Sequence, residues 1–177
     1  MPLKRWDKLT SQVLYRNNWW TYRKDTFRIP NGKEGEYHYV HTNGSSLVVP
    51  VRPDGSLILL NQYRFLCDRE SLEFPCGGVK EGETSDQTAV RELQEEAGWG
   101  ARDWKVAGEF NPYNGVTNEI CRIYIARNLF PVKAPLDDTE EFEQLTLRPE
   151  EVESRIVSGV IWDGMTIAAW TVAKNHI

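Results

Sequence analysis

Three closely spaced glutamates are the residues of this sequence that point most clearly to chemistry. Glu92, Glu95 and Glu96 stand at positions i, i+3 and i+4, so on a helix they share one face. Three carboxylates held so close repel one another unless a cation lies among them. A hard divalent ion bound by oxygen atoms is the simplest such cation, and Mg²⁺ suits a site that also holds substrate phosphates. The alternative is a solvated acidic face on a surface helix.

The residues around these glutamates predict the helix that would carry them. It is expected to begin at Thr84 or Ser85, because Thr84 and Gln87 have the spacing of a capping box, and to end at Gly98. A second, apolar face would pack on a sheet and consists of Ala89, Val90, Leu93 and Ala97. The preceding loop, residues 75–78, can bring backbone carbonyl groups close to the acidic face.

Residues 77–99 as a whole resemble the Nudix box. That pattern reads Gly, five residues, Glu, seven residues, then Arg-Glu-hydrophobic-any-Glu-Glu-any-Gly-hydrophobic. Every fixed position is filled at the right spacing, by Gly77, Glu83, Arg91, Glu92, Leu93, Glu95, Glu96, Gly98 and Trp99. So many matches make chance a poor explanation, and the resemblance therefore favours a metal site over a solvated acidic face.

The resemblance implies a role for most of the matched residues. Glu92 and Glu96 would be the main metal ligands, and Glu95 would share the metal cluster or hold its waters. The backbone carbonyl of Cys76 would be a further ligand, and the cofactor would be Mg²⁺, with Mn²⁺ as a substitute. Such metals polarise a phosphoryl oxygen and activate a water. The structural positions would be Gly77, Glu83, Arg91 and Gly98. The glutamate and arginine of this last set would form a buried ion pair that braces the loop against the helix.

Segments outside the box resemble the branch of ADP-ribose and ADP-sugar pyrophosphatases. Residues 61–64 (NQYR) are similar to the QYR segment of that branch, and residues 73–77 (EFPCG) to its Glu-x-Pro-Ala-Gly. The resemblance implies that Arg64 contacts substrate phosphate or ribose and that Glu73 shapes the metal side of the pocket. For Arg64, the end of a surface strand without a ligand role is the alternative.

Residues 111–119 (NPYNGVTNE) occupy the place of the substrate loop of that branch, which usually reads Ser-Pro-Gly and ends in a glutamate. Asn114 stands where the proline is expected, and Pro112 lies two residues earlier. This departure argues against ADP-ribose itself and leaves other nucleoside-diphosphate sugars open as substrates. Asn114 and Glu119 are the candidate substrate-binding residues here, and a structural role for Glu119 is the alternative.

The resemblance also implies a general base outside the box. The acidic run 137–143 (DDTEEFE) aligns with a mobile loop that donates this base in the branch. By position Glu141 is the best match, and Glu140 and Glu143 are its rivals. Without the resemblance, the run would be a solvated turn.

The N-terminal aromatic residues are the last candidates. In related dimeric enzymes an N-terminal strand region crosses to the partner subunit and stacks an aromatic ring on the nucleobase. Trp19 or Trp20 could do this, because an indole stacks well on a base, and core packing is the alternative. The resemblance therefore implies a homodimer.

The order of predicted elements indicates an α/β protein. A strand at 46–51 is expected to pair with 56–63 across a turn at Pro53-Asp54-Gly55, and residues 72–82 are interpreted as loop. Further strands are expected near 104–109, 120–126 and 142–147, and further helices near Pro149 and Thr166. The resemblance implies a Nudix fold, an α/β/α sandwich with a central mixed β-sheet and the loop-helix-loop of the box. Residues 1–45 would be an N-terminal strand region involved in dimerisation, and residues 46–177 the Nudix hydrolase domain.

Composition narrows the class of protein. A chain of 177 residues, 40% of them hydrophobic, favours one ordered globular domain. The net charge of −5, without a block of Lys and Arg, makes a nucleic-acid partner unexpected. Three scattered cysteines suit free thiols in a reducing compartment. With no signal-like start and no apolar run that could span a bilayer, a cytoplasmic protein without a membrane partner is expected.

Three functions stay open at this point. The first is hydrolysis of a nucleoside-diphosphate sugar to a nucleoside monophosphate and a sugar phosphate. The second is a Nudix hydrolase acting on a nucleoside triphosphate, a dinucleoside polyphosphate or a capped RNA. The third is a non-catalytic nucleotide-binding module. The retained box carboxylates favour an enzyme, and the NQYR and EFPCG segments favour the first of these substrates.

Overall fold

The computed structural model describes residues 3–133 and 141–177. Within these ranges the strands and helices follow one another in a mixed order, as the sequence predicts for an α/β protein. The elements are β1 (Asp7–Arg16), β2 (Thr21–Arg28), β3 (Glu34–His41), β4 (Ser45–Pro50), β5 (Leu57–Arg64), β6 (Arg69–Glu73), β7 (Cys76–Gly78), α1 (Ser85–Ala97), β8 (Trp99–Phe110), β9 (Cys121–Pro131), β10 (Glu143–Leu147), α2 (Pro149–Val157) and α3 (Gly164–Ala173).

A mixed four-stranded sheet, in the order β7-β4-β9-β8, forms the centre of the fold. Strand β4 runs parallel to β9 and antiparallel to β7. Because side chains alternate along a strand, Leu47 and Val49 join one apolar cluster, whereas Val48 joins the other. Helix α1 covers the Val48 face through Ala89 and Leu93, and α3 packs in the opposite cluster. The predicted arrangement of helices on both faces of a mixed sheet is confirmed.

Strand β5 lies in a second sheet, in the order β10-β5-β6, and not beside β4 as the sequence suggested. Within the described chain the two strands meet in a single bridge between Val51 and Leu57. The predicted turn is present, and Gly55 adopts a positive φ of 81° in it. The predicted strand pairing is wrong because β7 and β9 already occupy both edges of β4, so β5 must pair elsewhere.

The N-terminal residues form a third, antiparallel sheet in the order β1-β2-β3. Strand β1 is exposed along its whole length. Its apolar side chains are open to solvent, among them Leu9, Val13, Leu14 and Tyr15. Strand β3 ties this sheet to the rest of the chain, since the Val40 amide donates to the Val116 carbonyl at 2.9 Å. The sheet therefore presents an exposed edge strand with several apolar side chains that no described residue of the chain covers.

Two further local predictions need correction. Residues 72–82 are not all loop, because Leu72 and Glu73 end β6 and Cys76–Gly78 pairs as β7 with β4. Val90 does not pack on the sheet: 37% of it is exposed, whereas Ala89 and Leu93 on the neighbouring turns are fully buried. Among the described residues, no helix is long and apolar enough to cross a membrane.

Candidate active site

The two ends of helix α1 are fixed by the residues from which its bounds were predicted. The Thr84 side chain accepts a hydrogen bond from the Gln87 amide, and the Gln87 side chain accepts one from the Thr84 amide, which completes the capping box. Gly98 ends the helix with a left-handed φ of 70°. The helix is thus held against the central sheet, and its acidic face points towards the loop that precedes it.

Arg91 is the cation that lies among the carboxylates of this face. Its guanidinium contacts Glu92 at 2.6 Å and Glu95 at 2.9 Å through Nη1. On its other side, Nε donates to Glu83 at 2.9 Å, and Nη2 donates to the Gly78 carbonyl at 3.1 Å. The ion pair expected between Glu83 and Arg91 is present, although both side chains are partly and not fully buried. One arginine therefore joins the loop, the helix and two of the three candidate ligands.

The loop approaches the helix most closely at Gly77 and Cys76. A Cβ atom on Gly77 would overlap the carboxylate of Glu92, so only glycine leaves room for that buried side chain. The Cys76 amide donates to Oε2 of Glu96 at 2.9 Å. Contact with the Cys121 thiol, together with burial, raises the pKa of the Cys76 thiol well above its ordinary value. Cys76 therefore offers the site its backbone groups and not a thiolate.

The donor set of this face suits a hard divalent ion. Glu92, Glu95 and Glu96 supply carboxylate oxygens, and Gly77 leaves the room that the Glu92 carboxylate occupies beside the loop. Across the part of the chain that is described, no three acidic, histidine or cysteine side chains converge into a complete metal cage. Mg²⁺ does not need one, because it is commonly held by one or two carboxylates together with waters and substrate phosphates. The residues present fit such an ion.

Glu83 is strongly stabilised in its charged form. The hydrogen bond from Arg91 outweighs the effect of burial and lowers the pKa of Glu83 from 4.5 to about 2. A depressed pKa means that the pair contributes stability above about pH 4.5, and that this contribution is lost as the pH falls towards 2. The pair is thus a brace that works at neutral pH.

Replacing Glu83 with glutamine is expected to lower the free energy of unfolding by about 1–3 kcal/mol at pH 7. The difference in the free energy of unfolding between the variant and the wild type should shrink as the pH falls from 5 to 2, because protonated Glu83 no longer pairs with Arg91. Urea unfolding at a series of pH values measures this gap. A gap that stays constant across the series would contradict the assignment.

Arg64 and Glu73 form a second ion pair near the loop. Two of the three guanidinium nitrogens of Arg64, Nε at 2.8 Å and Nη2, donate to the carboxylate of Glu73, and Glu73 is buried. The Arg64 side chain remains partly exposed. Arg64 is the exposed last residue of β5, as the alternative expected, and Glu73 orients its guanidinium. Its contact with substrate stays a prediction.

Glu119 lies near the edge of the central sheet at which β7 pairs with β4. The Ser45 hydroxyl donates to its carboxylate at 2.6 Å, and Ser45 lies opposite Gly78 in the pairing of β4 with β7. Sequence reasoning missed Ser45, because a serine at the start of a buried strand carries no distinctive signal. Asn114 is exposed on the loop that ends at Glu119, and it lines a cavity beside the N-terminal sheet.

The remaining candidates lie on the surface. Trp19 is 79% exposed and Trp20 is 38% exposed in the turn between β1 and β2, so core packing of either is wrong. Glu141 is exposed, and the rival Glu143 is the first residue of β10. Glu140 lies outside the described residues. The structure therefore leaves the assignment of the general base as a prediction.

A family model described as the NUDIX domain matches residues 41–160, well over half of the chain. The chain belongs to the Nudix family. A second model, described as a nucleoside diphosphate sugar hydrolase N-terminal domain, matches residues 6–40, which contain nearly all of the N-terminal sheet. Members of the Nudix family generally use divalent metal ions.

Individual relatives agree with this family. The chain is 30% identical over 143 residues to an ADP-ribose pyrophosphatase of Bacillus subtilis (strain 168), covering 80% of this chain and 77% of that protein. It is 29% identical over 168 residues to an ADP-ribose pyrophosphatase of Mycobacterium tuberculosis, covering 88% of this chain and 81% of that protein. A crystal structure of an ADP compounds hydrolase shares the fold, with a TM-score of 0.85 at 22% identity over 99% of this chain and 95% of that one. The predicted Nudix fold and Nudix hydrolase are confirmed.

Proposed function

We propose that this Nudix hydrolase splits the pyrophosphate bond of a nucleoside-diphosphate sugar into a nucleoside monophosphate and a sugar phosphate. The observation that carries the proposal is that the acidic face of α1 packs against the loop at Gly77. The carboxylate of Glu92 lies against that glycine, and the carboxylate of Glu96 accepts the Cys76 amide. The N-terminal sheet, similar to that of nucleoside diphosphate sugar hydrolases, favours this substrate class over triphosphates. Relatives named ADP-ribose pyrophosphatase support it further.

In this proposal Glu92, Glu96 and the Cys76 carbonyl hold Mg²⁺, for which Mn²⁺ can substitute, and Glu95 shares the metal cluster or holds its waters. When bound, the ion polarises a phosphoryl oxygen and offsets charge that develops on the leaving phosphate. Arg91 limits repulsion among the carboxylates before substrate arrives, because it contacts two of them.

The other side chains bind the substrate or accept the proton of the attacking water. The open side of the Arg64 guanidinium contacts a substrate phosphate or ribose, and Glu73 fixes its direction. Glu141 accepts the proton of the attacking water: it is exposed and lies two residues before the start of β10. Asn114 and Glu119 contact the part of the substrate beyond the phosphates.

We also propose a cytoplasmic homodimer in which the N-terminal sheet meets the partner subunit. The exposed apolar side chains of β1 form a surface that a second copy would cover. Free thiols at Cys67, Cys76 and Cys121 suit a reducing compartment. The β1–β2 turn would then carry Trp19 or Trp20 to a substrate base.

Replacing Trp19 with alanine is expected to raise KM about tenfold and to change kcat little, because stacking on a base holds substrate and transition state equally. Trp19 is the more exposed of the two indoles, whereas Trp20 packs against the ring of Tyr15. Steady-state kinetics measure the split, and Val157→Ala, an exposed apolar residue on α2, is the matched control. An unchanged KM would remove Trp19 from the binding site.

The substrate class is tested by phosphate release in the presence of alkaline phosphatase and Mg²⁺. The panel contains ADP-ribose, other nucleoside-diphosphate sugars, dinucleoside polyphosphates, triphosphates and capped RNA, with each triphosphate corrected for release by the phosphatase alone. Turnover confined to diphosphate sugars is expected. A preference for triphosphates would reject the substrate class and keep the Nudix chemistry, whereas binding without turnover would favour a non-catalytic module.

A further inference from the structure

Helix α3 turns one face towards the segment that leads into the candidate metal site. Thr166 and Trp170 stand four residues apart and therefore share this face, and both are buried. Asp163 lies just before the helix as its N-cap, and its Oδ2 accepts the Thr166 amide at 2.7 Å. The cap and the buried packing hold the first turn of α3, and with it Thr166, in place.

The Thr166 hydroxyl holds the backbone of Phe74. The Phe74 amide donates to Thr166 Oγ1 at 3.2 Å, and the Phe74 ring lies near that of Trp170, with 6.4 Å between the ring centroids. Phe74 is 2% exposed and Thr166 is fully buried, so bulk water does not reach this bond. A buried amide that loses its acceptor is costly, so the hydroxyl fixes the place of the Phe74 backbone.

The next two residues are held by two other elements. The Pro75 carbonyl accepts the Val48 amide of β4 at 2.8 Å, and the Cys76 amide donates to Glu96 of α1 at 2.9 Å. Pairs in an antiparallel ladder alternate between bonded and non-bonded, so Cys76, which follows a bonded pair, directs its backbone groups away from β4. Three consecutive residues are thus fixed by α3, β4 and α1 in turn.

A displacement at the first of these three residues is transmitted to the last. A residue before proline is restricted to extended conformations, so Phe74 cannot absorb a shift by rotating into a helical one. Loss of the Thr166 bond would let Phe74 move, and the Cys76 carbonyl, two residues on, would move with it. The place of that carbonyl therefore depends on a hydroxyl from the opposite face of the central sheet.

The same end of α3 lies near Arg64. The hydrogen bond to Glu73 is the main reason that the pKa of Arg64 is raised, and the charge of Asp163 adds to this effect. Glu73 immediately precedes Phe74 in the chain. The N-terminal end of α3 is therefore close to the arginine proposed to meet substrate as well as to the segment before Cys76.

We propose that Thr166 is a positioning residue for the reaction: it holds Phe74, and through Phe74 it sets the place of the Cys76 carbonyl. Because it is fully buried, Thr166 itself touches neither metal nor substrate. The proposal rests on the proposed function, because that function makes the Cys76 carbonyl a metal ligand. The alternative is a buried hydroxyl that only stabilises the fold, and the two differ in whether its loss weakens metal binding.

The test is Thr166→Val, which keeps the branched shape of the side chain and removes the acceptor. Mn²⁺ alone is titrated into the intact protein without substrate, and electron paramagnetic resonance measures the free ion. The affinity for Mn²⁺ should fall about tenfold, and kcat on a diphosphate sugar should fall about tenfold while KM changes little, because a residue that orients a metal ligand typically has effects of this size. Thr166→Ser restores the acceptor and should bind Mn²⁺ within about twofold of the wild type.

Three further variants separate positioning from stability. Thr166→Ala also lacks the acceptor and should show the same losses, so the result does not depend on how valine packs. Ile161→Val removes a buried methylene from the same apolar cluster and lowers stability without breaking a hydrogen bond. Thr171→Val makes the same substitution on the exposed side of α3, where the hydroxyl bonds to the Ile167 carbonyl. Both controls should keep the wild-type Mn²⁺ affinity.

The proposal is overturned if both variants without the acceptor bind Mn²⁺ as the wild type does. It is also overturned if Ile161→Val weakens binding as much as they do, since lost stability would then explain the effect. Unchanged Mn²⁺ affinity in variants of an active diphosphate-sugar hydrolase would reject the role of Thr166 alone. Weakened Mn²⁺ affinity in variants of a protein that cleaves no diphosphate sugar would reject the proposed substrate and keep the positioning role.

Discussion

Glu96→Gln is expected to lower kcat by about a thousandfold, which corresponds to a loss of about 4 kcal/mol of transition-state stabilisation. The variant removes one negative charge from the proposed metal site. It keeps the shape of the side chain and an oxygen that can still accept the Cys76 amide. Activity should therefore fall while the fold is kept, which steady-state kinetics and thermal unfolding measure together.

Glu81→Gln is the matched control for this substitution. Glu81 lies in the loop before α1 and is exposed, so the same change of charge should leave kcat within about twofold of the wild type. Substrate binding by the Glu96 variant, measured by calorimetry, should persist. If the Glu96 variant kept most of its activity, the acidic face of α1 would not be the catalytic centre.

Gly77→Ala is expected to lower kcat by about a hundredfold and to cost about 1–2 kcal/mol of stability. A methyl group at this position would overlap the carboxylate of Glu92. Glu92 is buried on a capped helix, so its carboxylate must rotate out of the site to relieve the overlap. The loss should appear mainly in kcat, because the fold can accommodate a displaced side chain more easily than the chemistry can.

Gly78→Ala separates this effect from a general loss of flexibility in the loop. The neighbouring glycine has no atom within 4 Å of the position that its Cβ would take. This variant should keep nearly full activity and stability. An equal loss of kcat in both variants would mean that the conformation of the loop backbone, and not overlap with the Glu92 carboxylate, limits the reaction.

The part of the fold that is local in sequence could be predicted well. The capping box at Thr84 and the glycine at position 98 specify the two ends of α1 by backbone hydrogen bonds within a few residues. The pairing of β4 with β5 could not be predicted, because it depends on which strands reach the edges of β4 first. Those strands, β7 and β9, come from distant parts of the chain.

In the candidate site, too, the local features could be predicted and the contacts between side chains could not. The spacing of the glutamates placed them on one face, as predicted, but the sequence did not show that Arg91 contacts two of them. The spacing rule describes carboxylates along a helix and omits the side chain that lies between them. Ser45 was missed because its contact with Glu119 joins residues far apart in the chain.

The most direct test of the proposed reaction is product analysis after incubation of the protein with ADP-ribose and Mg²⁺ in ¹⁸O-labelled water. Hydrolysis at the pyrophosphate bond predicts AMP and ribose 5-phosphate in equal amounts, with one ¹⁸O atom in one of the two products. Removal of the metal by a chelator should stop the reaction. Intact ADP-ribose and other diphosphate sugars, under conditions in which a triphosphate is cleaved, would contradict the account.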